Sequence, residues 1–90
     1  MNNKNKKFYL KLQIEPVKTN LKYSELERFC ISLNCRIKTS KGSHVTISHA
    51  STKLVLVVAR HSQHDILKPY SIKSSLRFIQ SILEESNVPL

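Results

Sequence analysis

Two short segments of the chain place imidazole, hydroxyl and basic side chains at alternate positions. In "HVTIS" these positions are His44, Thr46 and Ser48. In "CRIKT" they are Arg36 and Lys38. Because successive residues of a β-strand point to opposite faces, two such strands put all five side chains on one side of a sheet. The sequence therefore predicts an exposed strip with two cations, one imidazole and two hydroxyls.

Such a strip has the chemistry of a phosphate-binding surface that contains a titratable group. An imidazole titrates at about 6.5 in model peptides, so it can take a proton from a ribose 2′-hydroxyl or give one to a leaving 5′-oxygen. Cleavage of RNA without a metal ion also needs a cation near the phosphate and a strand held in line. His44 is therefore the candidate catalyst, and a surface histidine without a catalytic role is the alternative.

The remaining histidines and the two cysteines are weaker candidates for chemistry. His49 follows the second predicted strand, and His61 and His64 follow the third, where capping or simple exposure is the expected role. Cys30 has the helical spacing of a core residue. Together with Cys35 and the histidines it matches no usual zinc spacing, so we predict no metal site and no disulfide.

Three short strands and a glycine turn frame the strip. Strands are predicted at 35–39, 44–48 and 53–59, joined as a meander. The third, "KLVLVVA", has apolar residues pointing to both faces of the sheet, so it is expected to be the most deeply buried strand. Gly42 is the only glycine of the chain. It lies in the turn before His44, where a positive φ or a close approach of backbone to phosphate favours glycine.

Two amphipathic helices flank the predicted strands. The first covers 24–34, with Ser24 as its N-cap and Asn34 as a left-handed C-cap. The second covers 72–85 and is capped by Ser71. Their apolar stripes are Leu26, Phe29, Cys30 and Leu33 in the first helix, and Ile72, Leu76, Phe78, Ile79, Ile82 and Leu83 in the second.

These elements predict an α+β fold of helix, three-stranded antiparallel sheet and helix, in which both helices cover one sheet face and leave the other open. Residues 1–6 are predicted as a disordered basic tail, and 7–90 as a single domain. In "KFYLKLQI", over 7–14, apolar and polar residues alternate up to Pro16, which predicts an additional N-terminal strand.

The charge of the chain points to a polyanionic partner. Fifteen Lys and Arg oppose six Asp and Glu among 90 residues, which gives a net charge of +9. A basic surface attracts nucleic acid and releases counterions on contact. The sequence contains neither a membrane-length apolar run nor a secretory signal, so we expect a cytoplasmic protein.

Three stretches, in order, carry a resemblance to a known family. They are "TNLKYSELERFCISLNCRI", "KGSHVTI" and "RHSQHDILKPYSIKSSLRFIQSILEE", which together span about 19–86. They resemble the first helix and strand, the glycine-serine-histidine signature, and the closing histidine, acid-leucine-lysine turn and second helix of the HicA toxins. These toxins belong to bacterial HicA-HicB toxin-antitoxin systems. They are small RNA-cleaving proteins with a double-stranded-RNA-binding-domain-like fold.

The resemblance implies a metal-independent endoribonuclease that cleaves mRNA without a cofactor and is inhibited by an acidic HicB-like antitoxin. The essential histidine of the family falls on His44, its later histidine on His61, and its acidic position on Asp65. The chain departs from the family near Ala59, where a proline is common, and at the residues before the second helix. The residues expected to bind RNA are Arg36, Lys38, Lys41, Gly42, Ser43, Thr46, Arg60 and His61.

Two other interpretations of the sequence stay open. One is a non-catalytic module that binds double-stranded RNA by shape, as this fold class commonly does. The other is a degenerate toxin that acts through its antitoxin partner. An assay of RNA cleavage distinguishes a non-catalytic RNA-binding module from an enzyme.

Overall fold

The computed structural model describes residues 2–14, 20–40 and 42–86. Within these ranges the chain has the predicted α+β fold, preceded by one further helix. Lys41 of the predicted RNA-binding set and Pro16 lie outside the described residues. The elements are α1 Asn3–Leu12, α2 Tyr23–Ser32, β1 Cys35–Thr39, β2 His44–His49, β3 Leu54–Ala59 and α3 Pro69–Ser86.

The sheet is an antiparallel meander in the order β1-β2-β3, with β2 in the centre. Its register pairs Lys38 with Thr46 and Thr46 with Val57. The core face carries the buried side chains of Val45 and Ile47, because these residues alternate along β2 with Thr46 and its neighbours on the open face. The predicted meander and the predicted parity of β2 are both confirmed.

Both predicted helices pack on that core face. Helix α2 contacts β1 and α3 contacts β3. The predicted stripes supply most of the core, although Leu76 is only partly buried. The helices therefore leave the other face of the sheet open, as the sequence predicted. The core-forming side chains of α2 and α3 include Tyr23, Leu26, Phe29, Cys30, Ile72, Phe78, Ile79, Ile82 and Leu83.

The predicted N-terminal strand over 7–14 is wrong, and so is the predicted disorder of residues 3–6, because helix α1 covers Asn3–Leu12. The Asn2 side chain caps this helix by accepting a hydrogen bond from the Asn5 N–H at 2.8 Å. Phe8 and Leu12, four residues apart, are both buried, and the ring of Phe8 lies 5.8 Å from that of Phe29. Helical packing thus explains Phe8 and Leu12 of the apolar residues that suggested a strand, whereas Leu10 is exposed.

Strand β3 is not the most enclosed strand, contrary to the prediction. Val55 and Val57 are 57% and 54% exposed on the open face. Leu56 and Val58, of the other parity, are buried. An all-apolar strand is enclosed only if both sheet faces are covered, and here every helix in the described ranges lies on one side.

The caps and turns differ in detail from the predictions. Helix α2 begins at Tyr23, and the Glu25 carboxylate accepts a hydrogen bond from the Lys22 N–H at 3.1 Å, so Ser24 is not its N-cap. Helix α3 begins at Pro69 and includes Ser71. Proline suits the first helical position, which has no need of its N–H.

Two predicted left-handed positions are confirmed. Asn34 has a φ of 65° after α2, although the C-cap itself is Leu33, and Gly42 has a φ of +75° before β2. Within the described ranges, no helix combines the length and the apolar character that crossing a membrane requires.

Candidate functional site

His44 begins β2 on the open face of the sheet, with its side chain exposed. It pairs with Ala59 of β3. The backbone around it is held on the other side by Ser40, whose N–H and hydroxyl both donate to the His44 carbonyl at 3.1 Å. A strand end held on both sides therefore presents a titratable ring to the solvent.

A groove of about 320 Å³ connects His44 to the start of α3. We call it the His44 groove. Its polar side chains are His44, Lys68, Tyr70 and Ser71, and its floor is formed by Val57 and Ala59. Tyr70 is 78% exposed. The groove thus combines an imidazole, an ammonium group and an aromatic ring beside an apolar floor.

Backbone pairing between two distant segments positions the α3 side of the groove. The Leu67 N–H donates to the Leu21 carbonyl at 2.7 Å, and both leucines are buried. The Ile72 N–H then donates to the Lys68 carbonyl at 3.0 Å, which is the first hydrogen bond of α3. Lys68 and Tyr70 are therefore fixed at the helix start by the core, although their side chains remain exposed.

The basic strip of β1 continues the open face away from His44. Lys38 is diagonal to His44 through the pairing with Thr46, a separation of roughly 7–8 Å between α-carbons. Arg36 pairs with Ser48 and lies about 14 Å from His44 by strand geometry. Both cations are exposed, and Thr46 is half-buried between Lys38 and Val57. Only Lys38 of this pair is close enough to contact a phosphate bound next to His44.

The turn before His44 is tied to the end of β3. The Arg60 N–H donates to the Ser43 carbonyl, which extends the β2–β3 ladder by one pair beyond His44. Gly42 is exposed, and nothing in the described structure lies within 4 Å of where a β-carbon would be. Its positive φ, rather than lack of space, is the reason for glycine at this position.

Arg60 has the opposite orientation to His44. Its guanidinium lies over the ring of Tyr23, 4.9 Å from the centroid, and its Nε atom is buried. Tyr23 belongs to the core, where burial, more than the nearby Glu27 carboxylate, raises its pKa to about 12. The structure thus places the Arg60 side chain against the helix layer, apart from the His44 groove.

His61 begins a tight turn that Asp65 organises. The His61 N–H donates to Asp65 Oδ2, and the Ser62 hydroxyl donates to Oδ1 at 3.1 Å. These bonds, the first above all, lower the pKa of the Asp65 carboxyl. His61 is exposed and does not line the His44 groove.

The other titratable candidates have structural surroundings. His49 is buried, and its Nδ1 atom is 2.9 Å from the Thr52 hydroxyl in the turn after β2. Cys30 and Cys35 are free thiols in the core, and the hydrogen bond from Cys30 lowers the pKa of Cys35. Across 2–14, 20–40 and 42–86, no three His, Cys, Asp or Glu side chains converge in a way that could hold a metal ion.

Compared with models of known protein families, with curated proteins and with solved structures, the chain matches none. The resemblance to the HicA toxins therefore remains a prediction from the residues.

The sequence prediction missed Lys68 and Tyr70 as members of the site. They are separated from His44 by more than twenty residues, and the segment before α3 has no clear periodicity. The available signal was Pro69, since proline favours the first helical turn and so marks its two neighbours as helix-start residues.

Proposed function

We propose that this chain is an endoribonuclease of the HicA type, the toxin of a toxin-antitoxin pair, which cleaves mRNA with His44 as its essential residue. The observation that carries the proposal is the His44 groove, in which an exposed imidazole shares one open surface with Lys68 and Tyr70. The glycine-serine-histidine resemblance at residues 42–44 supports the same assignment.

In this proposal His44 removes the proton from a ribose 2′-hydroxyl. The 2′-oxygen then bonds to phosphorus, the bond to the 5′-oxygen breaks, and the leaving oxygen takes up a proton. The products are a 2′,3′-cyclic phosphate and a 5′-hydroxyl. Lys68 stabilises the charge that develops on the phosphate, and Lys38 holds the neighbouring backbone.

Tyr70 is proposed to position the substrate. A base stacked on an exposed aromatic ring fixes the strand without reading its sequence. The valines of β3 provide an apolar surface beside it, where the sugar or base edge loses water on binding. Alignment of the 2′-hydroxyl with the scissile bond depends on this kind of positioning.

The proposal includes an inhibitory partner and a compartment. A HicB-like antitoxin with an acidic surface is complementary to a chain of net charge +9. The cytoplasm is the expected location, because mRNA is found there.

The test compares His44→Ala with His64→Ala, a matched change at an exposed histidine outside the groove. Purified variants are incubated with RNA in the presence of a chelator, and their induction in cells is scored for growth inhibition. We expect only His44→Ala to lose cleavage and toxicity, with an unchanged circular dichroism spectrum. Equal activity of the two variants would reject the catalytic role of His44.

A second candidate function is favoured by the order of the elements. The arrangement α2-β1-β2-β3-α3, with both helices on one face, is also that of modules that bind double-stranded RNA by shape. RNA binding without any product that depends on His44 would support this module and exclude the enzyme.

A further inference from the structure

Helices α1 and α2 form a second basic surface on the helix side of the molecule. A groove of about 150 Å³ between them is lined by Lys4, Lys7, Lys11 and Arg28. We call it the α1 groove. Helix α1 contacts α2 and α3, which cover the core face of the sheet. The α1 groove therefore lies on the opposite side of the sheet from His44.

The three lysines form a row on one face of α1. Their spacing of three and four residues puts neighbouring side chains above one another along the helix. The row spans about 10 Å, given a rise of 1.5 Å per residue. Its position is fixed because Phe8, in the middle of the same helix, is buried against Phe29. The cations are thus arranged on a packed element.

Few acidic groups oppose this row. Residues 1–14 contain no Asp or Glu. The acidic side chain that lines the groove is Glu25, and its Oε1 atom accepts the Lys22 N–H at the start of α2. Four cations and one carboxylate line the groove, so it keeps an excess of positive charge for an external anion.

We propose that the α1 groove binds the phosphate backbone of RNA independently of its sequence. A row of ammonium groups and one guanidinium is the chemistry that neutralises successive phosphates. The aromatic residue at the groove, Phe8, is buried and offers no surface for stacking a base. It likewise offers no apolar anchor of the kind that protein partners require. Backbone contact is therefore favoured over base reading and over an acidic protein.

This binding does not depend on cleavage by His44. The test uses the full chain with His44→Ala as background, so that the RNA stays intact whether or not His44 is catalytic. The groove pair Lys7→Gln with Lys11→Gln is compared with the control pair Lys6→Gln with Lys73→Gln. Each pair removes two positive charges from exposed helical positions, but the control lysines do not line the groove. Glutamine preserves helix propensity.

The probe is a labelled RNA duplex of about 20 base pairs, longer than the roughly 16 that one small module spans. Fluorescence anisotropy is measured over a range of salt concentrations, with polyglutamate as a second ligand. We expect the groove pair to weaken duplex binding severalfold and to lower the salt slope by about 1 per lysine, while the control pair changes the slope little. Equal effects of the two pairs would overturn the proposal. It would also be overturned by a groove-specific loss confined to polyglutamate.

Discussion

The two basic surfaces of this molecule carry charge of the same sign but are lined by different kinds of side chain. The His44 groove combines one titratable ring, one lysine and an exposed tyrosine above an apolar floor. The α1 groove has more cations but neither an imidazole nor an exposed aromatic ring. Positive charge attracts RNA to any surface that carries it, whereas the cleavage that we propose also needs a proton acceptor and a group that positions the strand.

The largest expected effect separates the two surfaces by removing one of them. Phe8→Ala removes the buried one of two α1 rings, Phe8 and Tyr9, that pack on Phe29, and we expect a loss of about 3 kcal/mol in the free energy of unfolding. Helix content and duplex binding at the α1 groove fall with it. Leu10→Ala, at a position 63% exposed on the same helix, is the control and should change stability by less than about 0.5 kcal/mol.

Chemical denaturation followed by circular dichroism measures this difference. RNA cleavage by Phe8→Ala should persist at temperatures where the rest of the domain is folded. If cleavage and α1 were lost together at every temperature, the two surfaces would not be independent.

The next effect sharpens the role of the cation at the His44 groove. Lys68→Gln is expected to lower the cleavage rate about 10²-fold, equivalent to about 2.7 kcal/mol, because a charge beside the transition state is removed. Lys73→Gln, within α3, removes an equal charge outside the groove and should leave the rate within about twofold. Single-turnover kinetics measure both. Similar rates for the two variants would mean that Lys68 contributes only to the overall positive charge of the protein and has no specific role in cleavage.

Substitutions of Tyr70 test whether stacking of RNA bases occurs at the His44 groove and not at the α1 groove. Tyr70→Ala should weaken binding of single-stranded RNA by about 1–2 kcal/mol, and Tyr70→Phe should retain most of the affinity because the ring remains. Duplex binding at the α1 groove should not change in either variant. The stacking role fails if phenylalanine is as damaging as alanine.

The smallest effect concerns the turn beside the groove. The folded pKa of Asp65 lies below its unfolded value of about 3.9, so its hydrogen bonds stabilise the turn above that pH and are lost as the pH falls through the folded pKa. The amide resonance of His61, followed by NMR, should titrate with a midpoint below about 3.9. Asp65→Asn should abolish this transition, and a midpoint at or above the unfolded value would contradict the assignment.

Most of the fold was predictable from the sequence because parity and helical periodicity are local. The alternation around Val45 and Ile47 is sufficient to place His44 on the open face. Helix α1 was not predictable in the same way, since Phe8 and Leu12 satisfy both a strand and a helix pattern. The contact with Phe29 of α2 decides between the two patterns, and that contact is tertiary.

The burial of β3 and the membership of the His44 groove escaped prediction for a related reason. An apolar strand does not reveal how many of its faces are covered, and Val57 is exposed because the helices share one side of the sheet. Lys68 and Tyr70 lie beside His44 because the Leu67 N–H bonds to the Leu21 carbonyl and α3 packs on β3, contacts that join segments far apart in the sequence. Contacts between such distant segments produce no periodic pattern of residues in the sequence.

The contrast between Tyr70 and Tyr23 has a spectroscopic consequence. The chain has three tyrosines and no tryptophan, so its intrinsic ultraviolet emission comes from phenol rings. Tyr23 is fully buried, whereas Tyr70 is exposed in the His44 groove. A ligand that covers the groove would change the emission of Tyr70 and leave that of Tyr23 largely unaffected. The protein therefore carries a built-in optical reporter of its own candidate site, readable without a label.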